Sequence, residues 1–200
     1  MNQRTRVYLS RHGQIDGYES IPVYGYTDVD ITRIGVLQME SLAERLRLTN
    51  IRAIYASDLR RSVKGAEIIG KYHDVPLYFL PELREMFFGD WEGITLSELE
   101  KQFPEELKKR KQALLTYKIP GNGESVLEFS KRITTCYQKI LSAQRGQAVL
   151  IVAHGGVNRV ILCQALGLDL SRLFSLHQDY GCLNIIDIHD DGAQVRLVNG

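Results

Sequence analysis

Three short segments carry residues able to handle an anion. Arg11-His12-Gly13 follows the apolar run Val7-Tyr8-Leu9, Arg60 and Arg61 lie within "SDLRRS" at 57–62, and His154-Gly155-Gly156 follows "AVLIVA" at 148–153. Arginine presents a planar fork of donors that matches phosphate oxygens and keeps its charge at neutral pH. Glycine lets backbone N–H groups approach an anion closely, and a helix N-terminus adds roughly half a positive charge. Histidine acts as a nucleophile or a proton carrier near neutral pH. Together these residues describe a site that holds a phosphoryl group with an imidazole inside it.

A metal centre is the poorer reading. Zinc takes neutral imidazoles, thiolates or carboxylates, and arginines beside such ligands would repel a divalent cation. There is no His-x-x-x-His and no Cys-x-x-Cys spacing. Transfer of a phosphoryl group also calls for a proton on the leaving oxygen, which a desolvated carboxylic acid can supply. "ELREMFFGDWEG" at 82–93 offers Glu82, Glu85, Asp90 and Glu92, of which Glu85 precedes the apolar Met86-Phe87-Phe88.

These residues need elements to bring them to one place. Val7–Leu9 and Ala53–Ala56 read as short buried strands, and 148–153 is a continuous branched apolar run of the kind buried on both faces of a parallel sheet. Helical stripes alternate with them: Met39, Leu42, Ala43 and Leu46 behind a Thr32 N-cap; Leu59, Val63, Ala66 and Ile69 behind Ser57 or Asp58; Val126, Phe129, Ile133, Cys136 and Ile140; and Val157, Val160, Ile161 and Ala165. The final "CLNIIDIHDDGAQVRLV" reads as a hairpin turning at Asp191-Gly192. This alternation predicts an α/β three-layer sandwich, with a mostly parallel central sheet and helices on both faces. In such sheets ligands bind beyond the carboxyl ends of the strands, where all three segments emerge. The charged stretch 95–118 predicts a helical excursion over the sheet rather than core.

The totals set bounds. The chain has 200 residues, 44% of them hydrophobic and 24% charged, with a net charge of +1. That length suits one domain, taken here as residues 1–200 with a short helical cover at about 94–122. The balanced charge gives no bulk attraction to nucleic acid or membrane. No apolar stretch approaches the roughly 18 residues of a membrane span, and residues 1–6 are polar, without a signal-peptide pattern. Cys136, Cys163 and Cys182 sit in apolar surroundings and read as reduced thiols of a cytoplasmic protein. "KKRK" at 108–111 is the longest basic run, read as a solvated helix face with a phosphate-binding patch as the alternative.

Six ordered segments make the chain similar to the histidine phosphatases, the superfamily of phosphoglycerate mutase-like proteins. They are "LSRHG" at 9–13, "GYTDVDITRIGVLQ" at 25–38, "SDLRRS" at 57–62, "LREMFFGDWEG" at 83–93, "GES" at 123–125 and "VAHGG" at 152–156. The resemblance implies that His12 is the nucleophile and that Arg11, Arg61 and His154, with Gly155, hold the phosphate. It selects Glu85 as general acid and later base, and Arg61 over Arg60. It implies a metal-independent phosphomonoesterase that needs no cofactor, working through a phosphohistidine on a small-molecule phosphomonoester. The texture of the tail "QDYGCLNIID" at 178–187 is similar to that of the α-ribazole-5′-phosphate phosphatases of cobalamin assembly. Broad-specificity sugar or glycolytic phosphatases, phosphoglycerate mutases and a non-catalytic binding module are the alternatives. Only residues 86–122 separate the acid segment from "GES", whereas the mutase branch carries a large insertion there; the short cover favours release and hydrolysis. Gln14-Ile15 and Gly65 depart from the family pattern, which expects hydroxyl-bearing residues at 15 and 65 and points to these positions for substrate choice.

Overall fold

The structure is a computed structural model that describes residues 4–20 and 23–200. β1 (Thr5–Arg11), β2 (Ile51–Ala56), β3 (Leu77–Phe79), β4 (Ala148–Ala153), β5 (Leu183–His189) and β6 (Gly192–Leu197) form one sheet in the order β3-β2-β4-β1-β5-β6. β3, β2, β4 and β1 run parallel, and β5 and β6 close one edge antiparallel. The expected strands therefore form, and the sheet is mostly parallel, with helices on both faces.

Side-chain alternation along the central strands divides the core in two. Val7, Leu9, Val149, Ile151 and Ala153 enter one apolar cluster with α5 (Val126–Ala143) and α6 (Gly155–Leu166). Tyr8, Leu150 and Val152 enter the other, with α1 (Arg33–Leu46) and α2 (Arg60–Gly70). This two-sided burial explains why β4 has no polar alternation. Each such side chain removed from water contributes roughly 1.5–3 kcal/mol, so the strands that deliver the histidines are also the best anchored.

Caps follow the sequence in part. Thr32 accepts from Gly35 N at 3.0 Å, and Ser125 with Glu128 forms a capping box on α5. α2 differs: Leu59 is its N-cap, with no side-chain cap. Asp58 is drawn away into a two-pronged ion pair with Arg84, at 2.6 and 2.5 Å. The buried face of α2 is also rotated from the expected stripe. Ala66 and Ile69 face inward, but Val63 is half-exposed while Arg61, Ser62 and Gly65 are buried.

Two further expectations are corrected. The hairpin turns at Asp190-Asp191; Gly192 already pairs with His189 as the first residue of β6. The stretch 95–118 is not purely an excursion. It holds α3 (Leu96–Gln102) and α4 (Pro104–Gln112), and Leu99 is buried in the core while Phe103, Leu107 and Leu115 pack against it. Most of its charges lie on the outer face, which masks these inward apolar positions in the composition. Cys136, Cys163 and Cys182 are all buried and free. Among the described residues, no helix is long and apolar enough to cross a membrane.

Candidate active site

β1 and β4 are paired with Arg11 beside Ala153, so His12 and His154 leave adjacent strand ends together. Their ring centroids lie 5.1 Å apart at 63°, and both rings are almost fully buried. His12 N donates to Ala153 O at 3.0 Å, which fixes the exit of the chain. The His12 side chain is fixed as well. Nδ1 lies 2.8 Å from Gly13 O, a contact that only an Nδ1–H can make favourably. That tautomer leaves Nε2 with a free lone pair.

His154 is held on both sides. Nε2 lies 2.8 Å from Ser57 Oγ, and Nδ1 is 3.3 Å from Arg61 Nε, which donates to it. Burial first, then the guanidiniums of Arg61 and Arg11, hold the His12 imidazole well below its ordinary range. Burial, Arg61, His12 and Arg11 do the same to His154. Both rings are therefore neutral at pH 7 in the unliganded protein.

Arg61, on the rotated face of α2, is 1% exposed. Its Nη1 donates to Thr27 O and its Nη2 to Gly25 O, both at 2.7 Å. Glu92 holds that loop in turn, accepting from the N–H groups of Gly25, Tyr26, Thr27 and Phe88 at 2.9–3.1 Å. Gly25 is required here, because a Cβ would overlap Met86 O and Glu92 Oε1. Arg11 stacks on Tyr180, with Cζ 3.8 Å from the ring centroid, and its Nη1 donates to Gln178 O at 2.7 Å. Its Nε is buried with no partner among the described residues. A buried guanidinium N–H without an acceptor points to a missing anion.

Glu85 meets this group from the other side of the α6 N-terminus. Oε2 accepts from Gly156 N and Oε1 from Met86 N, both at 2.8 Å. α6 begins at Gly155 with no side-chain cap, so its first N–H groups are free for Glu85 and a ligand. Gly155 stands beside Arg11 Nε and Arg159 Nη1.

The structure thus brings His12, Arg11, Arg61, Glu85, His154 and Gly155 to one edge of the sheet. Arg60 is excluded: it is exposed and bound to Asp28. Of the other acids considered, Glu82 and Asp90 are exposed and Glu92 is scaffolding. The two departures from the family pattern sit in close packing. Ile15 is buried against Ile31, and a Cβ on Gly65 would press on Met39 and Val152, at the packing of α2 against α1 and β4. Gln14 supports the start of α1, accepting from Thr32 Oγ1 at 2.8 Å.

The roles of several residues are not read from the sequence. Ser57 and Glu92 orient His154 and Arg61, Tyr180 and Gln178 seat Arg11, and Arg159 lines the adjoining cavity with Arg110. Arg159 had a readable signal, one helical turn after Gly155 on α6. Arg110 sits on the short charged α4, and Ser57, Glu92, Gln178 and Tyr180 arrive from turns and loops, where spacing carries no such signal.

Comparisons with known proteins identify the family. A profile of the histidine phosphatase superfamily (branch 1) matches residues 7–200. The chain is 29% identical over 198 residues to the adenosylcobalamin/alpha-ribazole phosphatase of Escherichia coli (strain K12), covering 97% of this chain and 95% of that protein. It is 34% identical over 199 residues to a Hydrogenobacter thermophilus (strain DSM 6534 / IAM 12695 / TK-6) protein provisionally named phosphoserine phosphatase 2, covering 96% and 93%. The crystal structure of the alpha-ribazole phosphatase from Shigella flexneri superposes with a TM-score of 0.89 at 28% identity, covering 98% of this chain and 96% of that one. This chain belongs to the histidine phosphatase superfamily, branch 1, and is a phosphatase.

Proposed function

We propose that the protein is a metal-independent, cofactor-independent phosphomonoesterase that works through a phosphohistidine on His12. The observation that carries this reading is the His12 tautomer. Nδ1 is committed to Gly13 O, and Nε2 is free in a pocket with the guanidiniums of Arg11 and Arg61.

In the first step the Nε2 lone pair attacks phosphorus in line and the P–O ester bond breaks. Its electron pair stays on the leaving oxygen, which takes the proton of the Glu85 carboxyl. In the second step Glu85, now a carboxylate, takes a proton from water. The hydroxide attacks phosphorus, the P–N bond breaks, and its electron pair returns to His12. Arg11, Arg61 and His154 stabilise the equatorial oxygens throughout, the largest source of rate in such transfers. These groups supply the positive charge that a metal provides in other phosphatases.

The substrate is a small phosphomonoester. The leaving group occupies a cavity of about 450 Å³ beside Glu85 and Gly156, walled by Tyr24, Phe88, Phe129 and Phe174. Aromatic walls of that size suit a nucleoside-like leaving group, and with the relatives above they support α-ribazole 5′-phosphate. The whole chain is taken as one catalytic domain in a cytoplasmic protein, with α3 and α4 as the cover of the cavity.

The test is a panel with EDTA present: α-ribazole 5′-phosphate, a sugar phosphate, phosphoserine, and 3-phosphoglycerate with 2,3-bisphosphoglycerate. Highest kcat/KM on α-ribazole 5′-phosphate, undiminished by EDTA, is expected. Interconversion of phosphoglycerates, or loss of turnover on chelation, would overturn the reading.

A further inference from the structure

The basic run at 108–111 divides between two environments. Lys108 and Lys109 are exposed, and Lys109 pairs with Glu106 at 3.6 Å. Arg110 and Lys111 line the leaving-group cavity, together with Glu85, Gly156 and Arg159. Arg110 is half-buried on α4. Its Cζ lies 5.6 Å from the ring centroid of Trp91 and 5.9 Å from that of Phe88. No carboxylate reaches its guanidinium among the described residues, and burial pushes its pKa down, with the Tyr117 phenol acting the other way. Arg159 Nε donates to Leu176 O at 2.8 Å; it has no ion-pair partner among the described residues, and the Glu85 carboxylate offsets part of the lowering of its pKa by burial.

A desolvated cation is costly unless an anion meets it. Among the described residues Glu85 is the one carboxylate on the cavity wall, and both its oxygens already accept backbone N–H groups. Apart from the cations Arg110, Lys111 and Arg159, the remaining wall is apolar or aromatic, so the anion that meets these cations comes from a ligand.

We infer that Arg110 is a specificity-determining residue, which extends the substrate range to phosphomonoesters whose apolar or aromatic leaving group carries a second anion at its far end. The inference rests on the proposed phosphatase reaction, because it places the leaving group in this cavity. The second anion is a carboxylate or a phosphoryl-type group, which a guanidinium fork binds alike.

Matched probes test it. 4-Carboxyphenyl phosphate and its neutral isostere 4-carbamoylphenyl phosphate differ in charge but hardly in size, and a 4-phosphonophenyl analogue distinguishes the two anions. In the wild type, kcat/KM for at least one charged probe should exceed the neutral one about tenfold or more, and the larger ratio names the anion. Arg110→Met should lower that ratio at least fivefold, and Arg110→Lys should restore part of it. A wild-type ratio at or below one, or a ratio unchanged in Arg110→Met, would overturn the inference. Should Arg110→Met fail to fold, the wild-type ratio and its loss in Arg110→Gln still decide. Absence of turnover on all three probes and on phenyl phosphate would instead sink the phosphatase reading itself.

Discussion

Gly156 N donates to Glu85 Oε2 at 2.8 Å, and the space above the Gly156 Cα is filled by the same carboxylate. The helix that carries the second histidine thereby positions the proposed acid. A Cβ at 156 would overlap Glu85 Oε1, so Gly156→Ala must displace Glu85 without touching the core. General acid catalysis contributes roughly 10²–10⁴ in rate. Gly156→Ala and Glu85→Gln should each lower kcat/KM, which reports the phosphoryl-transfer step to His12, by about a hundredfold or more on an alkyl phosphate. The loss should be much smaller on p-nitrophenyl phosphate, whose leaving group needs little protonation. Equal losses on both substrates would remove the acid role from Glu85.

His154 has no free N–H for a phosphate oxygen in the unliganded protein. Nε2 faces Ser57, and Nδ1 receives the Arg61 Nε–H. An arriving dianion favours the protonated ring, whose pKa starts well below the ordinary value because of burial and the neighbouring guanidiniums. Binding of tungstate, itself proton-free near pH 7, should therefore take up protons. Calorimetry in buffers of different ionisation enthalpy measures this directly. The expected result is an apparent enthalpy that varies with the buffer and becomes independent of it in His154→Gln. Buffer-independent enthalpy in the wild type would show that His154 stays neutral.

The same buried rings make the apo fold acid-sensitive. In the unfolded chain a histidine titrates near 6.5; in the fold His12 and His154 titrate well below that. Between those limits the unfolded chain binds more protons, so stability rises with pH up to about 6.5 and is lost as pH falls below it. The urea midpoint should drop between pH 7.5 and 5.5, and the drop should shrink in the double variant His12→Gln/His154→Gln. An unchanged wild-type midpoint would contradict neutral buried rings.

Glu92 acts on the phosphate site through Arg61. Its carboxylate gathers the N–H groups of residues 25–27, whose carbonyls at Gly25 and Thr27 hold the guanidinium. Glu92→Gln puts an amide donor against several N–H groups, which costs about 2 kcal/mol. It should also lower kcat/KM about tenfold, with tungstate affinity falling in parallel. Glu92→Asp should recover part of both. A lowered melting temperature with unchanged tungstate affinity would reduce Glu92 to a structural residue.

Much of this architecture was legible before any coordinates. β4 announces itself because both of its faces are buried, and α1 because its stripe and Thr32 cap agree. His12 and His154 are legible because strand ends deliver them, while the strand end after β2 offers Arg60 and Arg61 alike and only the family resemblance selects Arg61. Less legible were residues whose role depends on a partner distant in sequence. Glu92 reads as one acid among four, and only the fold shows it holding residues 25–27. Arg110 hides in a basic run whose neighbours are solvated, since inward and outward positions of a short charged helix look alike in composition. The α2 stripe misled for a physical reason: turning Arg61 into the site rotates Val63 toward solvent.

The most direct test of the central claim is to trap the phosphoenzyme. Glu85→Gln mixed with radiolabelled p-nitrophenyl phosphate should form the adduct without needing the acid, yet hydrolyse it slowly. The account predicts an acid-labile, base-stable label that maps to His12 and is absent from His12→Asn. A label on His154, or a His12→Asn enzyme with wild-type kcat, would contradict it.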